Sequence, residues 1–230
     1  YSGTSVDQQR FAKMDVAANK RGVIYAGLDG LIDSQGNQFW NASVACCNFN
    51  ANPVDDAAYI QGLIDEISKK VSVDPKRIYL FGHSNGHFMS YKFACTYPET
   101  VAAIAGLAGA MDSAPSNCGA TSPVNVLHIH GTNDDVINYD GGQILGNLFT
   151  SAQESAKRWA SIDQCSLNPS VGTAFDLIAS LDGKETIPTI YSCPSASAEL
   201  WTIEGSSHGP SLDSSFALQV MDWLLAHPKG

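Results

Sequence analysis

Hydrophobic positions along this chain keep two rhythms, and the rhythms alternate. Ile60, Leu63, Ile64, Ile67 and Val71 recur at i, i+3, i+4 and i+7 spacing, which predicts an amphipathic helix after Pro53. Asp55 and Asp56 stand at its positive end, where carboxylates are favoured. The same spacing predicts a helix over 6–20, with Phe11, Met14 and Ala18 on one face and Gly22 closing it. Residues 143–162 read as mostly helical, and a last helix carries Phe216, Val220, Trp223 and Leu224 before stopping at Pro228. Unbroken apolar runs are the second rhythm. Residues 78–81, 101–107 and 124–129 read as strands of a parallel sheet covered on both faces. A short strand is predicted at 23–26, and three more strands at 173–178, 187–191 and 199–203. Residues 31–53 form a loop rich in Asn, Gly and Ser, and loops this long in compact domains are usually functional. With no repeat, linker or low-complexity break, the alternation predicts one α/β domain over 1–230, a mostly parallel central sheet with helices on both faces.

The run at 78–81 passes straight into Gly82-His83-Ser84-Asn85-Gly86, and a helical pattern starts at once with Phe88, Met89, Tyr91, Lys92 and Phe93. Strand, G-x-S-x-G, helix is the order of a nucleophile elbow. So sharp a turn strains the serine backbone, and small residues are expected two positions away on each side to avoid clashes. Ser84 Oγ then stands above the sheet, with the Asn85 N–H at a helix N-terminus where it can donate to a developing oxyanion. The five letters alone are a weak signal; the flanking strand and helix strengthen it.

Catalytic groups of open α/β sheets gather beyond the carboxyl ends of the strands. His128-Ile129-His130 leads into Gly131-Thr132-Asn133-Asp134-Asp135, and Trp201-Thr202-Ile203 leads into Glu204-Gly205-Ser206-Ser207-His208. Serine, acid, histidine is the chain order of α/β-hydrolases. On that reading Ser84 attacks an ester carbonyl, His208 is the general base and Asp134 fixes its tautomer. Asp134 is preferred to Asp135 because it comes first off the strand turn. Singly, each has a plainer explanation, since Asp-Asp is ordinary turn chemistry and a histidine between Ser and Gly is commonly solvated. Order and placement lift them together. His128 and His130 share a strand face without a third ligand at metal spacing, so hydrogen-bonded histidines are expected there rather than a metal. His83 and His87 flank the nucleophile as pocket-shaping residues, and His227 looks like a helix C-terminal charge.

Composition narrows the partners. A formal charge of −10 argues against nucleic acid or an anionic membrane surface, and no apolar run approaches the ~18 residues of a membrane span. The chain starts at Tyr1 without an initiator Met or signal peptide, the pattern of a mature or truncated form. Six unevenly spaced cysteines fit disulfides, and hence an exported protein, better than zinc. Cys95 falls at the far end of the helix after the elbow, and Cys118 precedes the strand at 124, so these two can pair. Cys165 ends the helix after the acid loop and Cys193 ends the strand at 187–191, which makes a second pair. Cys46 and Cys47 remain as a vicinal disulfide or two thiols, with free buried cysteines throughout as the alternative.

With these residues in view, the chain resembles the polyhydroxybutyrate-depolymerase and feruloyl-esterase group of α/β-hydrolases, the carbohydrate esterase family 1 type, over nearly its whole length. The likeness rests on GLDG at Gly27, FWNA at Phe39 followed by Cys46-Cys47, VDD at Val54 and GHSNG at Gly82. It continues through HIHGTND at His128, Tyr139 with Gly141-Gly142, Trp159 with Cys165, and WTIEGSSHGP at Trp201. The resemblance implies a secreted, extracellular or periplasmic serine esterase with Ser84, Asp134 and His208 as triad and no metal or organic cofactor. Its substrates would be small-molecule or polymeric esters of short-chain, aryl, feruloyl or polyester type. It also implies that the family's first strands, with a His-Gly turn supplying the second oxyanion donor, fall ahead of position 1, which leaves Tyr1 or Ser2 beside Asn85. Trp40, His83, His87 and Tyr139 are the candidate substrate-binding residues. His87 stands where a glycine is common and Asn138 where a proline is common. Acyl transfer is the alternative chemistry, and a non-catalytic hydrolase-fold binding protein the alternative class.

Overall fold

The computed structural model of this chain describes residues 1–230, the side chain of Pro115 excepted. In chain order its elements are α1 (Ser5–Ala12), α2 (Met14–Arg21), β1 (Leu31–Ile32), β2 (Gln38–Phe39), α3 (Asp56–Lys70), β3 (Tyr79–His83), α4 (Asn85–Thr96) and β4 (Ala103–Leu107). There follow β5 (Asn125–Gly131), β6 (Gly142–Ile144), β7 (Asn147–Phe149), α5 (Ala152–Ile162), β8 (Ser170–Val171), β9 (Thr186–Ser192), β10 (Ser197–Ile203) and α6 (Phe216–Ala226).

The unbroken apolar runs become the middle of one sheet. Its six strands lie in the order β3-β4-β5-β10-β9-β8. The first four are mutually parallel, β9 runs antiparallel to β10, and β8 antiparallel to β9. Every residue of β4 and β5 is buried, because helices cover both faces and leave no alternation to read. On one face Ile60 of α3, Phe88 and Phe93 of α4, and Ala156 and Trp159 of α5 pack against Ile104, Val126 and Leu200. On the other, Ala12, Met14, Ala17 and Ala18 of the first two helices and Phe216, Val220 and Leu224 of α6 pack against Ala105, Leu127 and Ile203. This is the α/β-hydrolase arrangement.

Four elements differ from the sequence reading. The helix at 6–20 is two helices, broken at Lys13, whose backbone is left-handed (φ 53°) and whose N–H bonds Gln9 O at 3.0 Å. The break re-aims the chain so that Ala12, Met14, Ala17 and Ala18 are all buried. Residues 23–26 form no strand; Val23, Ile24, Tyr25 and Ala26 border a cavity of about 670 Å³ shared with the edge strand β3. The front of the 143–162 helix is instead the hairpin β6–β7, turned by Leu145 and Gly146, both at positive φ (50° and 84°) as a two-residue hairpin turn requires. Only then does Ser151 cap α5, accepting from the Glu154 N–H at 2.9 Å. At 173–178 there are isolated bridges from Phe175 to Thr186 and from Ile178 to Leu212, and the edge strand is Ser170–Val171.

All six cysteines are bonded: Cys46 to Cys47, Cys95 to Cys118, and Cys165 to Cys193. Cys95–Cys118 ties the end of α4 to the approach of β5 across a separation of 23 residues. Closing a loop of that length removes about 3 kcal/mol of unfolded-state entropy. The Cys95→Ala/Cys118→Ala double variant is therefore expected to lose about 3 kcal/mol of unfolding free energy in urea titrations. An unchanged midpoint and slope would show that the link constrains nothing.

Candidate active site

Parallel strands deliver their carboxyl ends to one rim, and three neighbouring loops there carry the chemistry. The turn out of β3 puts Ser84 at φ 54°, ψ −122°, a strained left-handed backbone for a residue with a Cβ. Its N–H is tied to Leu107 O of β4 at 2.8 Å. The glycines on either side are not equivalent. A Cβ on Gly82 would sit 2.2 Å from the Gly86 carbonyl, whereas one on Gly86 would meet nothing within 4 Å. The symmetric clash expected from the motif is one-sided, because Gly86 already lies in the first turn of α4 and faces open space.

Beyond β5, Asp134 is 3% exposed, while Asp135 beside it lies in solvent. The carboxylate Oδ1 accepts from the Val136 and Ile137 N–H groups at 2.9 and 2.8 Å. Its Oδ2 lies 2.9 Å from His208 Nδ1 and 3.2 Å from His130 Nε2. Burial alone would raise this carboxyl, but the hydrogen bonds from His130, His208 and Ile137 hold it well below the usual carboxylate range. His208, from the loop after β10, places Nε2 3.0 Å from Ser84 Oγ. With Nδ1 against a carboxylate, the imidazole carries its proton there and leaves Nε2 free to accept from the hydroxyl. Ser84, His208 and Asp134, separated by 124 and 74 positions, are thus joined in one hydrogen-bonded line.

Around this line the remaining candidates divide. The Asn85 N–H opens α4, and the Asn85 side chain clamps the Trp40 backbone, accepting from its N–H at 2.7 Å and donating to its carbonyl at 3.0 Å. Trp40 is half-buried, stacks on Tyr59 with centroids 6.3 Å apart, and lines the same cavity as Ser84 and His208. Its loop is anchored below by buried Asp56, which accepts from the Asn41 N–H at 2.6 Å, and by Lys92, which donates to Asn41 O at 2.6 Å. His83 reaches that cavity too, but its Nε2 donates to the His208 carbonyl at 2.9 Å, so it braces the histidine loop rather than offering its ring to a ligand. Burial pushes the His83 pKa down to about 4. Tyr1 borders the cavity, yet its hydroxyl donates to Asp33 at 2.5 Å and accepts from Asn37 at 3.0 Å.

Two proposed substrate contacts lie elsewhere. His87 is wholly buried behind the elbow, where a Cβ on Gly106 would overlap its ring. Tyr139 is buried behind the acid loop, its hydroxyl 2.8 Å from Thr202 Oγ1. Both face inward because their neighbours in the motif, not they, form the rim. The clamp made by Asn85 and the bracing role of His83 escaped the sequence reading, for neither leaves a periodic signal. Among the described residues, no group of three His, Cys, Asp or Glu side chains converges as a metal site, and no helix is long and apolar enough to cross a membrane.

A profile of the phospholipase/carboxylesterase family matches residues 50–166, just over half of the chain and the segment that holds both Ser84 and Asp134. The chain belongs to that family. Among curated proteins, this carboxylesterase-family chain is 34% identical over 167 residues to feruloyl esterase B of Piromyces equi, covering 68% of the chain and 30% of that protein. It is 34% identical over 97 residues to feruloyl esterase C of Emericella nidulans, covering 42% and 35%. The chain thus spans about a third of the length of these relatives. Among solved structures, an acetyl xylan esterase from Aspergillus awamori superimposes with a TM-score of 0.63 at 15% identity, covering 96% of this chain and 84% of that one. At that identity the likeness speaks for the α/β-hydrolase fold.

The one-sided clash makes a direct prediction for this carboxylesterase-family chain. Gly86→Ala should leave the thermal midpoint unchanged or slightly higher, since alanine stabilises a helical position by about 0.5–1 kcal/mol over glycine. Gly82→Ala should lower the midpoint by several degrees. Equal effects from the two would contradict the elbow geometry.

Proposed function

We propose that this chain is a serine carboxylesterase working through an acyl-enzyme on Ser84, as a single catalytic domain over residues 1–230. The observation that carries the reading is the unbroken line from Ser84 Oγ through His208 to buried Asp134, at 3.0 and 2.9 Å. Ser84 Oγ attacks the ester carbonyl carbon while its proton passes to His208 Nε2. Asp134 stabilises the imidazolium without taking a proton, and the Asn85 N–H donates to the oxyanion. The tetrahedral adduct then collapses. The bond to the leaving alkoxy oxygen breaks, and that oxygen takes the proton from Nε2 to depart as an alcohol. Water attacks the acyl-Ser84 carbonyl by the same steps in reverse order, giving the acid and free Ser84.

Short-chain, aryl or feruloyl, and polyester-type esters are the substrates proposed. The feruloyl esterases among the relatives favour the aryl arm, as does the indole of Trp40 held at the cavity by the Asn85 clamp. Three disulfides fit an oxidising, extracellular or periplasmic location.

A fluorophosphonate probe should label Ser84 stoichiometrically, and Ser84→Ala should abolish both labelling and p-nitrophenyl acetate turnover. Retained turnover in that variant would reject the assignment. Across p-nitrophenyl esters from two to eight carbons and methyl ferulate, Trp40→Ala should raise KM for methyl ferulate more than for the acetate. Equal changes would remove Trp40 from the aryl site.

A further inference from the structure

Two histidines on β5 are left unexplained by the reaction at Ser84. His128 and His130 are 0% and 1% exposed, on the sheet face that also carries Tyr91 of α4. Tyr91 Oη lies 2.9 Å from His128 Nδ1, and His128 Nε2 lies 3.0 Å from His130 Nδ1. His130 Nε2 then faces two acceptors, Ile137 O at 2.7 Å and Asp134 Oδ2 at 3.2 Å. The chain is buried throughout; its last N–H is taken by Ile137 O, and the Asp134 oxygen that meets His208 lies beside it at 3.2 Å.

Its polarity follows from donor counting. His130 Nε2 faces only acceptors and so carries a proton. A neutral His130 then accepts at Nδ1, which requires the proton of His128 to sit on Nε2. His128 Nδ1 is left as an acceptor, so the Tyr91 hydroxyl donates to it. The reverse polarity needs a cationic His130 and leaves the Tyr91 hydroxyl proton with no acceptor, an unsatisfied donor in a fully buried site. Burial also opposes charge on Tyr91 and His128, pushing His128 well below the usual histidine range and Tyr91 well above the usual phenol range. His87 of α4 lines the same face with ring centroids 4.7 Å from His128 and 4.8 Å from Tyr91, and neither of its ring nitrogens has a partner. Trp159 of α5 packs 5.9 Å from Tyr91, and Tyr139 lies 5.7 Å from His130.

We propose that Tyr91, His128 and His130 form a one-way hydrogen-bond chain that positions Asp134, and through it His208, for the reaction at Ser84. They are positioning residues, since none reaches the reacting atoms. Each donor polarises the next, so the Tyr91 hydroxyl strengthens the His130 N–H at the far end. That N–H bonds the Ile137 carbonyl at 2.7 Å, which holds the acid loop, and at 3.2 Å from the Asp134 oxygen that meets His208 it tempers the carboxylate's negative charge, with no net charge added to the core. The proposal rests on the esterase reading of Ser84, and its test separates the two.

On 15N-labelled protein, long-range 1H–15N spectra at pH 7 should show both His128 and His130 neutral and protonated at Nε2. Tyr91→Phe deletes one hydroxyl and keeps the ring in the core. For p-nitrophenyl acetate it should lower kcat by about three- to tenfold, the rate equivalent of roughly one neutral hydrogen bond, with KM within twofold. The acid limb of kcat/KM should also move to higher pH, because a weaker His130 donor leaves more negative charge on Asp134 facing the His208 imidazolium. A purely structural Tyr91 would lower the thermal midpoint without moving that limb. His128 protonated at Nδ1 in the unsubstituted protein, or a Tyr91→Phe enzyme with unchanged kcat and pH profile, overturns the proposal. Absence of fluorophosphonate labelling at Ser84 overturns the esterase reading instead, and the tautomer pattern then decides the chain by itself.

Discussion

A carboxylate kept charged inside the protein is the constraint on which the rest of this site depends. Asp134 is almost fully buried, and an unpaired charge there would be prohibitively costly. It is tolerated because two backbone N–H groups and two imidazoles converge on its oxygens. Each donor in turn demands something of the chain. The Val136 and Ile137 N–H groups require the tight turn after Gly131, and His208 requires the β10 loop to close over the same point.

The parallel sheet meets those demands at once. β5 and β10 are adjacent and in register from Val126 with Ala198 to Gly131 with Ile203, so their following loops leave the sheet at one level. Gly131 lets the two loops touch: a Cβ there would lie 2.2 Å from Ser206 O. The strand that leads into Ser84, β3, stands two places from β5, across β4, which both aligns β3 and accepts the Ser84 N–H through Leu107 O. The strained Ser84 backbone is tied to the sheet through Leu107 O, and Phe88 and Phe93 of the helix that follows are packed into the core.

What the sequence made legible, and what it hid, follows from the range of the forces involved. Unbroken runs such as 101–107 and 124–129 announce parallel strands because burial on both faces leaves one composition to choose from. The stripe through Ile60, Leu63, Ile64 and Ile67 announces α3 for the same local reason. The break at Lys13 and the hairpin turn at Leu145-Gly146 depend on residues other than glycine adopting positive φ, which tertiary packing decides. At the site, residue types and chain order pointed to Ser84, Asp134 and His208, since each follows a strand. Side-chain direction was invisible: His87 and Tyr139 carry the right chemistry but face the core. His128 and His130 sit at alternate strand positions, which told of a shared face, while their partner Tyr91 comes from a helix 37 positions away from His128.

Reactivity at Ser84 depends on Asp134 being the group that orients His208. Measuring kcat for p-nitrophenyl acetate in Asp134→Asn and Asp135→Asn, side by side, tests this most directly. Asp134→Asn preserves the shape but presents a donor where the His208 N–H needs an acceptor, so kcat should fall by about 10⁴-fold. Asp135→Asn, in solvent, should leave it unchanged. Comparable activity in the two variants, or a loss confined to Asp135→Asn, would contradict the account.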